Sequence, residues 1–320
     1  KMAGQRDFNA REQALNTCSN GLVDQPFRTG AACMEPPVEY PALMLSFPRG
    51  STRHDLYVKV AGSQWSDAIQ VGKSGASGMV EILNEPTHQE SRSGRPINNG
   101  FLFQLSLTTQ TISQRQFKTE VLVFRPKYVI VNNLQKTLHY KQVSTDAVNT
   151  VRSQHKSNFH WPCASAPHEL SIRIAPPEQQ TAGSEPLWHW SGSFSISALG
   201  ETHIRLRSKD GIESAQIVRV EVKNLKETLH VILHPENEIP PYRINNASSL
   251  SLMTFQSVQQ RDDDAFDLIE QRASMPFAWD HPLKDKRLSV SAFGVEDAQD
   301  AKPLKLNIDA IGAHPPLVAG

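Results

Sequence analysis

The chain has 320 residues, with 33 basic and 33 acidic side chains and 38% hydrophobic residues. The charge balance excludes a global positive field that would attract nucleic acid or an acidic lipid surface. The longest apolar runs, such as residues 121–124, are far shorter than the roughly 20 residues of a membrane-spanning helix. Cys18, Cys33 and Cys163 are odd in number and widely spaced, which argues against a disulfide framework or a zinc site and favours a reducing cytosol.

The first 17 residues contain good helix formers and precede Asn20 and Gly21, a pair that often ends a helix. They predict an N-terminal helix. From Pro41 onward the pattern changes to short apolar-alternating segments separated by Pro, Gly, Ser and Asn. Because the chain begins with Lys1 rather than methionine, we expect a fragment of a longer protein.

One sequence pattern, which we name the aromatic–strand pattern, occurs three times along the chain. An aromatic residue is followed nine residues later by a segment that alternates apolar and polar side chains. The aromatic residues are Phe47, Trp161 and Trp279, and the segments are 56–60, 170–174 and 288–292. The copies are offset by 114 and 118 residues, a period that indicates tandem small domains rather than a solenoid of short units.

Further marks recur in the same order, the first at 125 residues because of an insertion and the second at 114. The dipeptide Trp65-Ser66 matches Trp190-Ser191, and the strand-like segment 128–132 matches 242–246, each ending in Asn. Alternation with period two is typical of a half-buried strand, and the apolar parity is the same in every copy. The sequence predicts an all-β fold of tandem antiparallel β-sandwich repeats with little helix. We name residues 1–124, 125–238 and 239–320 the first, second and third repeats, the first with the N-terminal helix.

No catalytic constellation is found. Residues 72–74 resemble the end of a phosphate-binding loop, but Asp67 stands where the required glycine would be. Asp280 and His281 are adjacent on an extended segment, so they point to opposite faces and predict a structural turn. The acidic run 262–269 predicts either a short helix or an acidic loop rather than a calcium site. The histidines lack metal-ligand spacing, so we expect no catalytic residue, cofactor or metal.

Two kinds of repeated side chain remain as candidates. Trp161, Trp190 and Trp279 are predicted to anchor the core rather than to stack a ligand. Asn132 and Asn246 have two open roles. Each amide can clamp a loop through backbone hydrogen bonds, or it can contact a partner peptide.

Four segments, 159–162, 188–192, 241–246 and 275–282, resemble the adaptor-binding repeats of the vacuolar protein sorting-associated protein 13 family. The resemblance covers about residues 41–310. It implies a part of a very long bridge-like lipid transfer protein at organelle contact sites, built here of β-sandwich repeats with signature asparagines, which would be Asn132 and Asn246. It also implies a cytoplasmic protein, peripheral at membranes such as those of mitochondria, endosomes or vacuoles.

In that family this domain captures adaptor proteins through a Pro-x-Pro motif, so membrane contact would be indirect. An extended Pro-x-Pro segment can add to a sheet edge while its prolines enter an apolar groove. We expect the site on the third repeat or at its junction with the second. The candidate contacts are Tyr242, Asn246, Met253, Phe255, Leu288, Val290 and Phe293. Two alternatives are a sandwich that binds phospholipid surfaces directly and, more remotely, a catalytic sandwich acting on glycans.

Overall fold

The computed structural model describes residues 54–60, 62–71, 77–83, 100–114, 117–176, 187–209, 215–236, 238–257, 266–293, 303–309 and 312. Within these ranges every regular element is a β-strand and none is a helix, which confirms the predicted all-β class. The predicted N-terminal helix, the Phe47 mark, residues 72–74 and the aspartates at 262–264 lie outside the described residues.

Twenty strands follow one another along the described chain. They are β1 (Asp55–Leu56), β2 (Ile69–Gln70), β3 (Ser77–Leu83), β4 (Leu102–Gln114), β5 (Phe117–Pro126), β6 (Tyr128–Asn132), β7 (Leu138–Gln142), β8 (Val148–Val151), β9 (Lys156–Phe159), β10 (Glu169–Ile174), β11 (Phe194–Ser195), β12 (Gly200–Leu206), β13 (Gln216–Leu225), β14 (Thr228–Pro235), β15 (Tyr242–Asn245), β16 (Ser251–Gln256), β17 (Asp267–Ile269), β18 (Ser274–Phe277), β19 (Leu288–Phe293) and β20 (Leu304–Leu306). Because Asp267–Ile269 is a strand, the helix predicted over 262–269 is wrong at its described end.

The chain divides into two compact units. The first contains Lys1–Val131, Gln154–Ala166 and Asn224–His230, and the second contains Asn132–Ser153, Pro167–Lys223 and Val231–Gly320. The predicted repeat boundaries were drawn from the aromatic–strand pattern and do not coincide with the boundaries of these units. They stay predictions.

In the first unit, β1 pairs with β2, β3 to β5 form a three-stranded sheet, and β6 pairs with β9 over residues 128–131. Val80, Ile82 and Leu107 form a buried cluster against which half-buried side chains of β2, β4 and β5 pack, together with Val58 and Val60 from the segment after β1. All of these pairings are antiparallel. Alternation supplies one apolar face per strand, and burial of that face holds the sheets together.

In the second unit, the second repeat contributes a four-stranded sheet in the order β11-β10-β7-β8 and the antiparallel pair β12–β13. The third repeat contributes a second four-stranded sheet, β17-β16-β19-β20, and the pair β15–β18. Its core lies between these two layers and contains Phe277, Trp279, Leu288 and Val290, which makes the third repeat a small β-sandwich.

The two four-stranded sheets have the same register. In β7–β10, Tyr140 pairs with Ile172; in β16–β19, Thr254 pairs with Val290. The first members differ by 114 positions and the second by 118. The change from 114 to 118 falls between β16 and β17, whose connection is therefore four residues longer than the β7–β8 connection. The aspartates at 262–264 belong to this longer connection.

Candidate functional site

Asn132 is fully buried, and its amide clamps a turn in the second repeat. Its Nδ2 donates to three backbone carbonyls, those of Lys136 at 3.0 Å, Val151 at 3.3 Å and Arg152 at 3.0 Å. Its Oδ1 accepts from the Leu134 amide at 3.0 Å. Buried backbone groups need such partners, so this side chain stabilises the local chain path.

Asn246 does the same in the third repeat, where it is 3% exposed. Its Nδ2 donates to the carbonyls of Leu250 at 2.8 Å, Ile269 at 3.1 Å and Glu270 at 2.9 Å. Its Oδ1 accepts from Ser248, through the backbone amide and the hydroxyl. An Asn amide has two N–H groups, and both are used within the repeat. The structure shows the loop-clamping role; a contact between Asn246 and a partner peptide stays a prediction.

The aromatic residues of the aromatic–strand pattern form the same three-ring cluster in two places. Tyr128, Phe159 and Trp161 lie in the first unit with ring centroids 4.9–6.4 Å apart, and Trp161 is fully buried. In the second unit the equivalent rings of Tyr242, Phe277 and Trp279 are 5.1–6.3 Å apart, and Trp279 is 4% exposed. The predicted core role of Trp161 and Trp279 is therefore confirmed.

Trp190, the third tryptophan predicted to anchor the core, is only half-buried, so the core prediction is wrong for this residue. It belongs instead to an arrangement that we name the Trp-Ser cap, formed by Trp190-Ser191 in the second repeat and by Trp65-Ser66 in the first. Ser191 donates its amide to the Ile172 carbonyl at 2.8 Å, and its hydroxyl accepts from the Ile172 amide at 3.1 Å. Ser66 makes the same two bonds to Val58, at 2.8 and 3.0 Å. In each case the preceding Trp lies against a cation that directly follows the residue bound by the serine.

Those cations occupy equivalent positions. Lys59 Nζ lies 5.9 Å from the Trp65 ring centroid, and the Arg173 guanidinium lies 4.4 Å from the Trp190 centroid. Lys141 Nζ lies 4.9 Å from the same Trp190 ring. We name the outward side of β7 and β10, formed by His139, Lys141 and Arg173 beside Trp190, the cationic face.

The equivalent positions in the third repeat are Met253, Phe255 and Ser291. Cross-strand pairs share one side of a sheet, so Leu268, opposite Met253, and Phe293, opposite Ser251, lie on this side too. We name Met253, Phe255, Leu268 and Phe293 the apolar face. Leu268 and Phe293 are each 47% exposed, and Met253 and Phe255 are half-buried. Buried Ser289 and Ser291 lie between them.

No Trp-Ser cap occurs in the described part of the third repeat. Instead, β20 pairs with residues 288–290 of β19, and residues 291–293 extend beyond that pairing. Three predicted contacts, Met253, Phe255 and Phe293, thus share one face. Leu268 was missed because its segment predicted a helix or an acidic loop.

The remaining predicted contacts lie elsewhere. Leu288 and Val290 point into the core, since they alternate with Ser289 and Ser291. The Tyr242 ring packs against that core, and its hydroxyl donates to Asp309 Oδ1 at 2.9 Å. Burial, and then this hydrogen bond, raises the pKa of Tyr242.

Sequence reasoning also missed an ionic junction between the second and third repeats, formed by Arg205, Arg207, Asp267 and Asp280. Arg205 donates both terminal nitrogens to Asp267, one at 2.8 Å and the other at shorter range. Arg207 donates to both carboxylates, at 2.9 and 3.1 Å to Asp267 and at 2.6 and 2.8 Å to Asp280. Burial alone would lower the pKa of Arg207, but its bonds to Asp280 and Asp267 outweigh that cost and raise it.

The junction also fixes the backbone. The Gly192 amide donates to the Asp280 carbonyl at 3.1 Å, and a Cβ on Gly192 would overlap that carbonyl and the His281 backbone. The His281 amide in turn donates to Gln256 Oε1 at 2.9 Å. Asp280 and His281 therefore have the structural role that their spacing predicted.

The described residues contain no helix with the length and hydrophobicity of a membrane span. Nor do those residues contain three or more His, Cys, Asp or Glu side chains grouped to hold a metal ion.

Comparisons with known proteins agree on one family. The chain is 28% identical over 197 residues to the intermembrane lipid transfer protein vps13B of Dictyostelium discoideum, covering 59% of this chain and 3% of that protein. It is 23% identical over 266 residues to the intermembrane lipid transfer protein VPS13 of Chaetomium thermophilum, covering 79% and 8%. It is 33% identical over 122 residues to the intermembrane lipid transfer protein VPS13B of Homo sapiens, covering 37% and 3%.

The chain thus matches only a small part of the length of these relatives. The family model described as the vacuolar-sorting associated protein 13 adaptor binding domain matches residues 8–286. The chain belongs to this family of adaptor-binding domains.

Proposed function

We propose that the apolar face of the third repeat binds Pro-x-Pro segments of adaptor proteins. One observation carries the proposal: the first two repeats cover this position with a Trp-Ser cap, and the described part of the third repeat does not. The adaptor segment would occupy the position on the third repeat that the Trp-Ser cap occupies on the other two. There it would contact apolar side chains, whereas the equivalent positions of the second repeat carry basic side chains.

The chemistry of the ligand suits this face. A Pro-x-Pro segment is extended, and its prolines have no N–H group to satisfy, so they lose little when they leave water for an apolar surface. Leu268 and Phe293 supply exposed apolar area, and Met253 and Phe255 supply the half-buried surface beside them. Residues 291–293 of β19 pair with β16 on one edge, and on the other edge, where no described strand pairs with them, they offer backbone groups to an added strand.

The other predicted contact residues hold the strands of the apolar face in place rather than touch the peptide. Asn246 fixes the loop that precedes β16 and the turn that follows β17, so it sets where Met253 and Leu268 lie. Leu288 and Val290 hold β19 against the core, and Tyr242 ties the chain after β20 to that core. Asn132 has the matching task in the second repeat.

The larger role follows from the relatives. They are intermembrane lipid transfer proteins, and a domain that captures adaptors would select the membrane to which such a bridge attaches. The protein then acts in the cytoplasm at organelle contact sites, such as those of mitochondria, endosomes or vacuoles. Its membrane contact is indirect, through adaptors, and it needs no catalytic residue, cofactor or nucleic acid.

The test is a titration of this chain with a Pro-x-Pro peptide and its Ala-x-Ala control. We expect saturable binding of the first and at least about tenfold weaker binding of the second, a difference of ~1.4 kcal/mol. Leu268→Lys should weaken the Pro-x-Pro peptide by a similar factor, because it places a charge on the apolar face. The matched control is Leu199→Lys, which changes a 63% exposed leucine in the second repeat and should leave binding unaltered.

Equal affinity for the two peptides would exclude Pro-x-Pro recognition, and unchanged binding by a folded Leu268→Lys variant would exclude this face. The same preparation separates the alternative of direct phospholipid binding. Flotation with liposomes, with and without calcium, should leave the chain in the soluble fraction when no adaptor is present.

A further inference from the structure

The cationic face of the second repeat gathers three basic side chains in two neighbouring rows of one sheet. Arg173 pairs with His139 across the β7–β10 register, and Lys141 lies one row away opposite Ser171. Trp190 lies against both Arg173 and Lys141, at 4.4 and 4.9 Å from its ring centroid. Cation–π contacts of this kind hold cationic side chains against an aromatic ring while their N–H groups stay available.

Within the described ranges these cations have no counter-ion. In the part of the chain that the structure describes, neither Lys141 nor Arg173 forms an ion pair. Glu169 lies on the same side of β10, two residues before Ser171, but makes no ion pair with them. Arg173 Nε and His139 Nδ1 are buried atoms without a hydrogen-bond partner among the described residues.

The electrostatics show the cost of this arrangement. Burial lowers the pKa of Arg173, and burial followed by the Arg173 charge lowers the pKa of His139. Concentrated positive charge that is partly withdrawn from water, with orphaned donors, is stabilised by an anion placed among them. Such donors at a half-buried position are typical of a binding site rather than of a solvated charged surface.

We propose that the cationic face binds a phosphate monoester carried by a phosphorylated segment of a partner protein. A guanidinium fork matches two phosphate oxygens, and the Lys141 ammonium and the His139 imidazole can donate to the remaining oxygens. A phosphate monoester carries about −1.5 to −2 charges near neutral pH, which matches the two permanent cations of the face. A carboxylate offers only two oxygens and one charge to the same donors.

A peptide is favoured over a membrane as the carrier of the phosphate. The chain has 33 basic and 33 acidic side chains, so it carries no net positive charge that would draw it to an acidic membrane surface. Beside the face lie Val148, 46% exposed and opposite Lys141, and half-buried Trp190. These apolar surfaces can pack against the peptide on either side of its phosphoryl group. This site is separate from the apolar face and does not depend on Pro-x-Pro recognition.

The experiment is calorimetric titration of the whole chain with a short Gly/Ser peptide that contains one phosphoserine. The unphosphorylated peptide and an Asp-substituted peptide serve as ligand controls. We expect saturable binding of the phosphopeptide and at least about tenfold weaker binding of both controls. Arg173→Gln should reduce phosphopeptide affinity about tenfold or more, and Lys141→Gln by a smaller factor. Arg173→Lys, which keeps the charge but loses the fork, should fall between wild type and Arg173→Gln.

Lys156→Gln is the matched control, since it removes one positive charge from an exposed position in β9 and should bind as wild type does. Arg173→Gln should retain Pro-x-Pro binding, and Leu268→Lys should retain phosphopeptide binding, so the two proposals can fail separately. Thermal unfolding establishes that each variant is folded; if Arg173→Gln is not, Lys141→Gln decides.

Three results would overturn the proposal. One is no preference for the phosphorylated peptide. Another is wild-type affinity in folded Arg173→Gln and Lys141→Gln variants. The third is binding to vesicles containing phosphatidylinositol 4-phosphate that the phosphopeptide does not compete, which would assign the face to a membrane lipid.

Discussion

The four-stranded sheets of the second and third repeats share one backbone arrangement but have outward surfaces of different chemistry. The pairing register is identical, the clamping asparagines make the same three carbonyl bonds, and glutamines at equivalent positions, Gln142 and Gln256, are fully buried in both. Three outward side chains differ in kind, while Ser171 and its equivalent Ser289 are the same residue. The exchanges are His139 to Met253, Lys141 to Phe255 and Arg173 to Ser291. At these three positions the chemistry of the surface therefore changes from basic to largely apolar without any change in strand pairing.

The largest expected effect is a loss of stability on removing the Asp267 carboxylate from the ionic junction. Asp267 occupies the position of Asn149 in the second repeat, so Asp267→Asn introduces the second repeat's residue. It leaves Arg205, with a side chain only 4% exposed, without its carboxylate. We expect the free energy of unfolding to fall by about 3–5 kcal/mol in chemical denaturation, since removal of one partner strands a buried charge.

The control for that measurement is Asp285→Asn, whose carboxylate is 59% exposed and pairs with exposed Arg287. Such surface pairs contribute about 0–1 kcal/mol. A loss below about 1 kcal/mol in Asp267→Asn would show that the junction does not hold the repeats together.

The second prediction tests whether the two asparagine clamps are equivalent. Asn132→Ala and Asn246→Ala each remove an amide that satisfies three carbonyls and at least one backbone N–H. Buried groups left without partners cost about 1–3 kcal/mol each when water does not replace the bond. We expect both variants to lose about 2–4 kcal/mol of unfolding free energy, measured side by side.

Asn245→Ala, at an exposed position next to Asn246, should change stability by less than about 1 kcal/mol. Losses that differ between the two clamp variants by more than about 2 kcal/mol would contradict the equivalence that their shared geometry indicates.

The third prediction converts one face into the other. A triple variant, Met253→His, Phe255→Lys and Ser291→Arg, gives the third repeat the outward residues of the second. We expect Pro-x-Pro affinity to fall at least about tenfold, ~1.4 kcal/mol, because the apolar surface is replaced by charge. Peptide titration measures the loss, and thermal unfolding establishes that the variant is folded, because Ser291 is only 6% exposed and an arginine there must displace its neighbours. Retained affinity in a folded variant would place the adaptor site elsewhere.

The smallest effect concerns pH. Burial and then Arg173 lower the pKa of His139, so its folded-state pKa lies below the unfolded value of about 6.5. The neutral form is favoured by folding, and the contribution is complete above pH 6.5 and is lost as pH falls through 6.5 toward the folded pKa. His139→Met, which introduces the third repeat's residue, should flatten the decline in stability between pH 7 and pH 5. The charged groups beside His139 are Arg173 on β10 and Lys141 on β7; Thr150 faces it from β8.

Denaturation curves of wild type and variant across that pH range give the comparison. Other buried histidines, such as His160, contribute equally to both proteins, so only the difference between the two curves is assigned to His139. Parallel curves would mean that His139 does not titrate differently on folding.

Much of the fold follows from sequence because it depends on alternation and repetition. Period-two patterns identified β10 and β19, and the two offsets placed them in one register. The same alternation puts Leu288 and Val290 in the core, which separates them from Met253 and Phe255 on the outward side. Side-chain pairing across strands cannot be derived from periodicity within one strand. The partners of Asp267 were missed for that reason.

Trp190 illustrates a second reason. An aromatic residue at fixed spacing predicts a core anchor, as Trp161 proved to be. The role of Trp190 depends instead on two cations brought beside it from β7 and β10, which are distant in sequence. Trp65, 58% exposed beside Lys59, shows the same departure in the first repeat.

The longer β16–β17 connection shows which part of this module can vary without consequence for strand pairing. Its four additional residues account for the difference between the offsets of 114 and 118, yet the strand pairs on either side keep the same register. The outward side chains of the two sheets likewise differ at three positions on one backbone arrangement. An array of such modules can therefore present a different surface on each copy while every copy keeps the same fold.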